Sequence, residues 1–241
     1  MSFFIQHLIN GLSLGSLYAL IAIGYTMVYG ILRLINFAHG DIFMLGAYLV
    51  YYGMLWTPLP WWLVFIVAAL LTGFFGILLE RFAYAPLRNE PRITVLISAI
   101  GASFLMENLA ILLFGGRPRP FSVPALLDHS VKVGAISFNV IQIVIPVVTA
   151  ILLAILSFII LKTKTGMAMR ALSTDYEAAS LMGININRII SMTFFIGSTL
   201  AAIGGILYSC RYPQLMPLMG MMPGIKCFIA AVIGGIGNLT G

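Results

Sequence analysis

The chain has 241 residues, of which only 8% are charged and 61% are hydrophobic, and its formal net charge is +6. Soluble domains carry charges at about 25% of positions, so these numbers exclude a water-soluble globular enzyme. Residues 1–32, 42–79, 133–161 and 189–210 carry no charge. Uncharged apolar stretches of about 18 residues or more are typical of transmembrane helices. The sequence therefore predicts an all-α, polytopic helical membrane protein, and continuous apolar runs exclude the alternating pattern of a β-barrel.

Few residues are suited to metal binding or disulfide formation. Cys210 and Cys227 both lie in apolar stretches, and the three histidines are scattered. These side chains are too few for a disulfide framework or a metal site, and buried cysteines act as small hydrophobic residues. The excess of Lys and Arg is attributed to the orientation of the protein in the membrane rather than to nucleic-acid binding, because basic residues in short loops orient membrane proteins.

Six transmembrane helices are predicted in chain order. They cover about Phe3–Leu32, Ile42–Trp56, Trp61–Leu79, Ile93–Phe114, Val140–Leu161 and Ile189–Ser209. As one helix, residues 42–79 would be about 57 Å long, so they must fold back, and Pro58-Leu59-Pro60 is the predicted turn. The Pro- and Gly-broken region Pro213–Gly241 is either a re-entrant element or an outer loop. Because the chain stops in Gly-rich apolar sequence, we expect it to be truncated.

The first span also carries a stripe of small residues. Gly11, Gly15 and Ala19 follow one another at intervals of four residues. This spacing predicts a helix face that another helix approaches closely. The alternative is that the glycines reflect only the high Gly content of membrane helices.

The basic residues predict the orientation in the membrane. Loops 80–92 and 162–188 are separated by two spans, so they share a side, and they carry three and four Lys or Arg residues. Such loops are typically cytoplasmic, although loop 115–139 also carries three basic residues. Counting back along the chain, the turn 33–41 is predicted to be cytoplasmic and the N-terminus to lie outside.

The segment 162–188 is the most polar part of the chain and predicts a short helix on the membrane surface. Thr174 is a candidate N-cap, Asp175 and Glu177 suit the positive end of a helix, and Gly183 is a natural C-terminal stop. Such a helix either docks into a groove on a soluble partner or only joins two spans.

Five polar residues in or beside the spans are candidates for a substrate path: Asn36, His39, Asp41, Glu107 and Asn108. An intramembrane carboxylate is costly and usually faces a cavity or a partner, although Glu107 alternatively forms a structural hydrogen bond between helices. The segment 36–41 is either a cytoplasmic turn or a broken helix that lines a cavity, where irregular backbone is tolerated.

The segment 162–188, which we call the coupling segment, resembles part of a known protein family. Gly166-x-Ala168-Met169-Arg170, Asp175-x-Glu177-Ala178-Ala179 and Leu181-Met182-Gly183-Ile184-Asn185 resemble the cytoplasmic coupling segment of permeases in branched-chain amino acid ABC importers, most closely the first of the two permease types. Further stretches match in the family's order: 10–30, 35–41, 80–88, 97–101 and 219–237. Family members usually have Arg in place of Met167 and a small residue in place of Cys227, and they continue past the equivalent of Gly241.

The resemblance implies a single transmembrane permease domain, 1–241, in the cell inner membrane, with the coupling segment 162–188 within it. It implies that this segment meets an ATPase through Arg170, Asp175, Glu177, Ala178, Gly183 and Asn185. The implied partners are a second permease subunit, two cytoplasmic ATP-binding subunits, a periplasmic substrate-binding protein and the lipid bilayer. No catalytic residue or cofactor is expected in this chain. ATP is used by the partners, and the sequence agrees, since it lacks the G-x-x-x-x-G-K-[ST] phosphate-binding motif.

Other functions remain open at this level. A urea or amide importer permease of the same superfamily would share these stretches. A stand-alone secondary transporter or channel would need its own coupling-ion site and would leave segment 162–188 without a role. A membrane enzyme is disfavoured because no catalytic constellation converges in the cytoplasmic loops.

Overall fold

Helices make up most of the chain in the computed structural model, which describes residues 2–88, 90–133, 136–235 and 237. Within these residues the helices are α1 (Ser2–Leu32), α2 (His39–Trp56), α3 (Trp61–Leu79), α4 (Arg92–Phe114), α5 (Val140–Lys162), α6 (Lys164–Thr174), α7 (Tyr176–Leu181), α8 (Ile186–Arg211) and α9 (Met221–Ile233). A π-helical turn, Glu80–Tyr84, and a 3-10 turn, Ala85–Leu87, extend α3. The described strands are β1 (Arg119–Pro120), β2 (Ser130–Val133), β3 (Ile136–Asn139) and β4 (Gln214–Leu215), and they pair antiparallel as β1 with β4 and β2 with β3.

A helix lies at each of the six predicted spans. Within the described residues, five helices are long and apolar enough to cross a membrane: α1, α3 with its extension, α4, α5 and α8. The sixth, α2, begins at His39 instead of Ile42, so the polar residues His39 and Asp41 belong to its first turn, where both are buried. The all-α, polytopic class is confirmed, and the predicted turn 58–60 lies between α2 and α3. The hairpin β2–β3 in loop 115–139 was not predicted.

Helix α8 forms the centre of the bundle, with α1, α2 and α3 packed around it. Small residues on α8 allow this: a Cβ on Gly205 would overlap the carbonyl oxygen of Phe43 on α2. Helices in lipid associate largely through such close van der Waals packing. No described helix of this chain approaches the predicted small-residue face of α1, since no described atom lies within 4 Å of a Cβ built on Gly11 or Gly15. The close approach of α1 occurs instead at Gly24, whose carbonyl oxygen faces Gly197 of α8.

Hydrogen bonds gather the connecting segments at two ends of the bundle. At one end, Arg88 Nη1 donates to Asn187 Oδ1 at 2.5 Å, which brings loops 80–92 and 162–188 together as predicted from their two-span separation. At the other end, Gln6 Nε2 donates to the carbonyl oxygen of Ser137 at 3.1 Å. We call the first the arginine-rich end, made of residues 33–38, 80–88 and 162–188, and the second the hairpin end, made of residues 115–133 and 136–139.

Two pairs of helices are interrupted in a similar way. Residues 33–38 separate α1 from α2, and residues 212–220 separate α8 from α9. Each break contains a non-glycine residue with positive φ, Arg33 at 53° and Leu218 at 82°. The two breaks come together where Gly40, the second residue of α2, packs against Gly220: a Cβ on Gly40 would lie 2.6 Å from the carbonyl oxygen of Gly220.

The C-terminal region is therefore a packed element and not a plain outer loop. Helix α9 contacts α1 and α2, and it begins beside the break that precedes α2. Pro213–Gly241 had been predicted as one broken region, and its residues 236 and 238–241 lie outside the described residues.

We expect Gly205→Ala to lower the free energy of unfolding by about 1–3 kcal/mol, the usual cost of overpacking a closed interface. The added methyl group would meet the backbone of Phe43. The matched control is Gly11→Ala, where the space is open. Thermal unfolding of the detergent-solubilised protein measures both variants, and equal melting temperatures would contradict the packing described for α8.

Candidate translocation cavity and coupling segment

A cavity of about 250 Å³ opens beside the meeting point of the two breaks. Gly40, Gly220 and Gly224 contribute backbone to its wall, and α4 closes another side. The large apolar side chains of the wall are Tyr25, Ile35, Phe37, Ile100, Phe104, Met221, Ile225 and Phe228. Such a cavity, mainly apolar with a few polar groups, has the composition of a small-molecule site.

Three polar side chains line this apolar wall: Asp41, Ser103 and Glu107. Asp41 is only 2% exposed and accepts a hydrogen bond from Ser103 Oγ at 2.5 Å. It stands in the first turn of α2, where the helix dipole favours a carboxylate. Glu107 follows Ser103 by one turn on α4, so both lie on one helix face. The described lining residues include no lysine or arginine, so the cavity favours a cationic group.

Asn36 and His39 lie beside the cavity without lining it. Asn36 is 2% exposed, and its Oδ1 accepts a hydrogen bond from Tyr84 OH at 2.9 Å. His39 is 1% exposed, and its Nε2 lies 3.2 Å from the carbonyl oxygen of Ile21 on α1. These contacts tie the first break to α1 and to the extension of α3. Within the segment 36–41 only Phe37 is exposed, at 39%, so the segment lies mostly inside the protein, where irregular backbone is tolerated.

Asn108, the fifth predicted path residue, is exposed and away from the cavity. Its Nδ2 donates to the carbonyl oxygen of Phe104 at 2.7 Å within α4. Sequence reasoning missed Ser103 instead. The available signal was its spacing of four residues from Glu107, which places a hydroxyl on the same helix face as an intramembrane carboxylate.

The segment 162–188 forms two helices, α6 and α7, and not the single short helix predicted. Thr174 completes the last turn of α6, and its hydroxyl donates to a backbone carbonyl one turn earlier at 3.0 Å. The prediction of Thr174 as N-cap is therefore wrong. The cap of α7 is Asp175, whose Oδ1 accepts from the backbone N–H groups of Glu177 and Ala178 at 2.9 and 3.0 Å. Gly183 follows α7 with φ of 80°, as expected for a helix stop.

Helix α7 and its flanks present apolar side chains outward. Leu181 and Met182 are 88% and 82% exposed, and Tyr176 and Met167 are exposed as well. Glu177 and Ala178 are exposed beside them. Contiguous exposed apolar groups with a polar rim are typical of protein interaction surfaces.

Other predicted residues of the segment 162–188 form hydrogen bonds that attach it to the helix bundle. The Arg170 guanidinium donates to the carbonyl oxygen of Ile160 at the end of α5. Asn185 Oδ1 accepts from the Arg188 N–H at 3.1 Å and caps α8. Helix α6 also packs against α1 and α8. Helix α6 thus connects α7 to α1, whose Tyr25 lines the cavity.

Comparison with known families places the chain in one of them. Residues 7–241 match the profile of a family described as "Branched-chain amino acid transport system / permease component". The chain belongs to this permease family. It is thus a transport component and a multi-pass protein of the inner membrane, and the resemblance recognised in the sequence is confirmed.

Curated relatives match over nearly the whole chain. It is 42% identical to the high-affinity branched-chain amino acid transport system permease protein LivH of Escherichia coli, over 99% of this chain and 81% of that protein. It is 41% identical to the permease protein BraD of Pseudomonas aeruginosa, again over 99% and 81%. The ribose import permease protein RbsC of Haemophilus influenzae is 26% identical, over 99% of this chain and 72% of that protein. No solved structure matches the chain.

Proposed function

We propose that this chain is the membrane-spanning subunit of an ATP-driven importer that carries branched-chain amino acids from the periplasm to the cytoplasm. The observation that supports this most strongly is the 42% identity to LivH over 99% of the chain. We treat residues 1–241 as one permease domain that includes the coupling segment 162–188.

ATP is hydrolysed by separate subunits in this proposal. The sequence has no G-x-x-x-x-G-K-[ST] motif, so the cradle that binds ATP phosphates comes from another chain. The partners are two cytoplasmic ATP-binding subunits, a second permease subunit and a periplasmic binding protein. This chain contributes a path and a docking surface, and it needs no cofactor of its own.

The cavity beside Asp41 is the proposed substrate path. Its volume of about 250 Å³ is below the range of about 300–1,000 Å³ usual for drug-sized ligands, so it suits a small solute. The apolar wall contacts an aliphatic side chain, and Asp41 and Glu107 attract an ammonium group. Asn36 and His39 lie beside the lining residues, and their hydrogen bonds keep the cavity wall in position.

The docking surface is the exposed face of α7 with Glu177, Ala178, Leu181 and Met182. A groove on an ATP-binding subunit covers the apolar side chains, and Glu177 pairs with a basic residue of that subunit. Arg170, Asp175, Gly183 and Asn185 act indirectly, because their hydrogen bonds and backbone geometry hold α6, α7 and α8 together.

The arginine-rich end faces the cytoplasm in this arrangement, and the N-terminus lies on the periplasmic side. Eight of the 13 Lys and Arg residues belong to or directly flank that end: Arg33, Arg81, Arg88, Arg92, Lys162, Lys164, Arg170 and Arg188. Basic residues in short loops favour the cytoplasmic side. The same orientation brings α7 to the compartment that contains ATP.

We expect vesicles that contain the complete complex to accumulate labelled leucine only when ATP is supplied on the cytoplasmic side. Unlabelled isoleucine and valine should compete, because they share the aliphatic side chain and the ammonium group, whereas urea should not. Uptake that continues without ATP hydrolysis would contradict an ATP-driven importer. Competition by urea alone would assign the chain to an amide importer.

We expect Asp41→Asn to lower leucine uptake by about tenfold or more, since a hydrogen bond to a charged group contributes about 1.5–3 kcal/mol. Complex assembly should be unchanged, because the amide keeps the size of the carboxylate. Asn108→Ala is the control, as it removes a polar group of α4 that lies outside the cavity. Uptake equal in the two variants would exclude Asp41 from the path.

We expect Leu181→Glu to abolish binding of the ATP-binding subunits to inside-out membrane vesicles, because it places a charge in the centre of the docking surface. Leu126→Glu is the matched control, since Leu126 is 65% exposed near the hairpin end. Co-sedimentation measures both. Binding to right-side-out vesicles, or loss of binding only in the control, would reverse the proposed orientation.

A further inference from the structure

The stretch Glu80–Arg88, which comprises the extension of α3 and the residue that follows it, belongs neither to the cavity nor to the docking surface. It stands out in the sequence as a polar stretch between two spans, and it continues α3 as a π-helical turn followed by a 3-10 turn. A π-helical turn inside a helix frequently marks a functional position. Its side chains contact two parts of the molecule that the proposed function separates.

One group of contacts reaches the start of α8. The side chains of Glu80 and Arg88 form an ion pair and are only 2% and 12% exposed. Glu80 Oε2 accepts from Ser191 Oγ at 2.8 Å, and Arg88 Nη1 donates to Asn187 Oδ1 at 2.5 Å. Asn187 and Ser191 lie in the first two turns of α8, where the coupling segment ends. A displacement of α7 therefore reaches Glu80 and Arg88 through α8.

The other contact reaches the cavity wall. Tyr84 is 1% exposed, and its hydroxyl donates to Asn36 Oδ1 at 2.9 Å. Asn36 stands between Ile35 and Phe37, and both of these neighbours line the cavity. The hydrogen bond thus joins the π-helical turn to the first break at the point where that break forms the wall.

We propose that Glu80, Tyr84 and Arg88 are positioning residues that transmit movement of the coupling segment to the cavity. The path runs along the chain from α7 into the first turns of α8, through hydrogen bonds to the Glu80–Arg88 pair, along the same helical turn to Tyr84, and through the hydrogen bond of Tyr84 to Asn36 and the cavity wall. The proposal rests on the proposed function, because it requires that α7 be moved by an ATPase. It adds a role for residues that touch neither the ATPase nor the substrate.

Buried polar contacts suit this role better than apolar ones. A buried ion pair contributes little net stability, because desolvation offsets the attraction, but breaking it leaves a charge without a partner. Separating the two charges therefore costs free energy, so Glu80 and Arg88 move together as one unit. Packed elements of this kind switch between discrete arrangements, so a small shift at one end produces a defined shift at the other.

The test measures leucine uptake and ATP hydrolysis in the same vesicles that contain the complete complex. We expect Tyr84→Phe to lower the leucine transported per ATP about fivefold, the effect of one lost hydrogen bond, while ATP hydrolysis stays near wild type and the melting temperature falls by no more than about 2–4 °C, the cost of one such bond in a protein of this size. The phenyl ring keeps the packing of Tyr84 against Phe194, whose ring centre lies 5.2 Å away. The matched control is Tyr48→Phe, because Tyr48 is fully buried and its hydroxyl has no partner among the described residues.

A double variant tests whether the two partners act through one hydrogen bond. Asn36→Ala and Tyr84→Phe together should transport no less leucine per ATP than the worse single variant, because coupled residues are not additive. Multiplied losses would show that the two residues act independently and would overturn the proposed order of contacts.

The remaining outcomes also decide the question. If Tyr84→Phe and Tyr48→Phe transport the same amount of leucine per ATP, the inference is wrong. It is also wrong if Tyr84→Phe lowers uptake, ATP hydrolysis and melting temperature together, because that pattern marks a purely structural residue. If the wild-type complex itself shows no ATP-driven leucine uptake, the proposed function fails, and the inference fails with it before any variant is compared. A failure of the variants alone leaves the proposed function intact.

Discussion

The contact between Gly40 and Gly220 is the constraint on which the rest of the structure depends. Backbone meets backbone there, and a Cβ on either glycine would collide with the other chain segment. The contact joins two helix breaks that expose irregular backbone, which membrane proteins tolerate only where protein buries it or water reaches it. Because the breaks cover one another, α2 and α9 begin side by side. Asp41 then faces a cavity that α4 completes.

A second constraint comes from polar side chains inside an apolar bundle. An unpaired polar group in a low-dielectric interior is costly, so each hydrogen bond between distant elements fixes how those elements sit. Asp41 with Ser103 joins α2 to α4, Tyr84 with Asn36 joins the α3 extension to the first break, and Glu80 with Ser191 joins that extension to α8. These few contacts link the arginine-rich end to the cavity wall.

Prediction from the sequence succeeded where the signal was local. The absence of charge over long stretches placed the helices, and Pro58 and Pro60 placed a turn. Asp41 and Glu107 both line the cavity, while their place on a substrate path stays a prediction. Prediction failed where the tertiary structure around a residue decided its role. Thr174 had the right chemistry for an N-cap, but it already belonged to α6, and Asp175 took the role. Gly11 and Gly15 had the spacing of a helix interface, yet α8 approaches α1 nearer Gly24.

Composition and order of residues by themselves determined that this protein is a helical membrane protein of a recognisable transport family, because apolarity and motif spacing are properties of neighbouring residues. Only the tertiary structure decided that Ser103 joins Asp41, that Asn108 faces away, and that the stretch Glu80–Arg88 lies between the coupling segment and the cavity. Those facts depend on contacts between residues far apart in the chain. Their geometry follows from how closely glycine-rich helices pack and from the need to pair each buried polar group, and neither is visible in a single stretch of sequence.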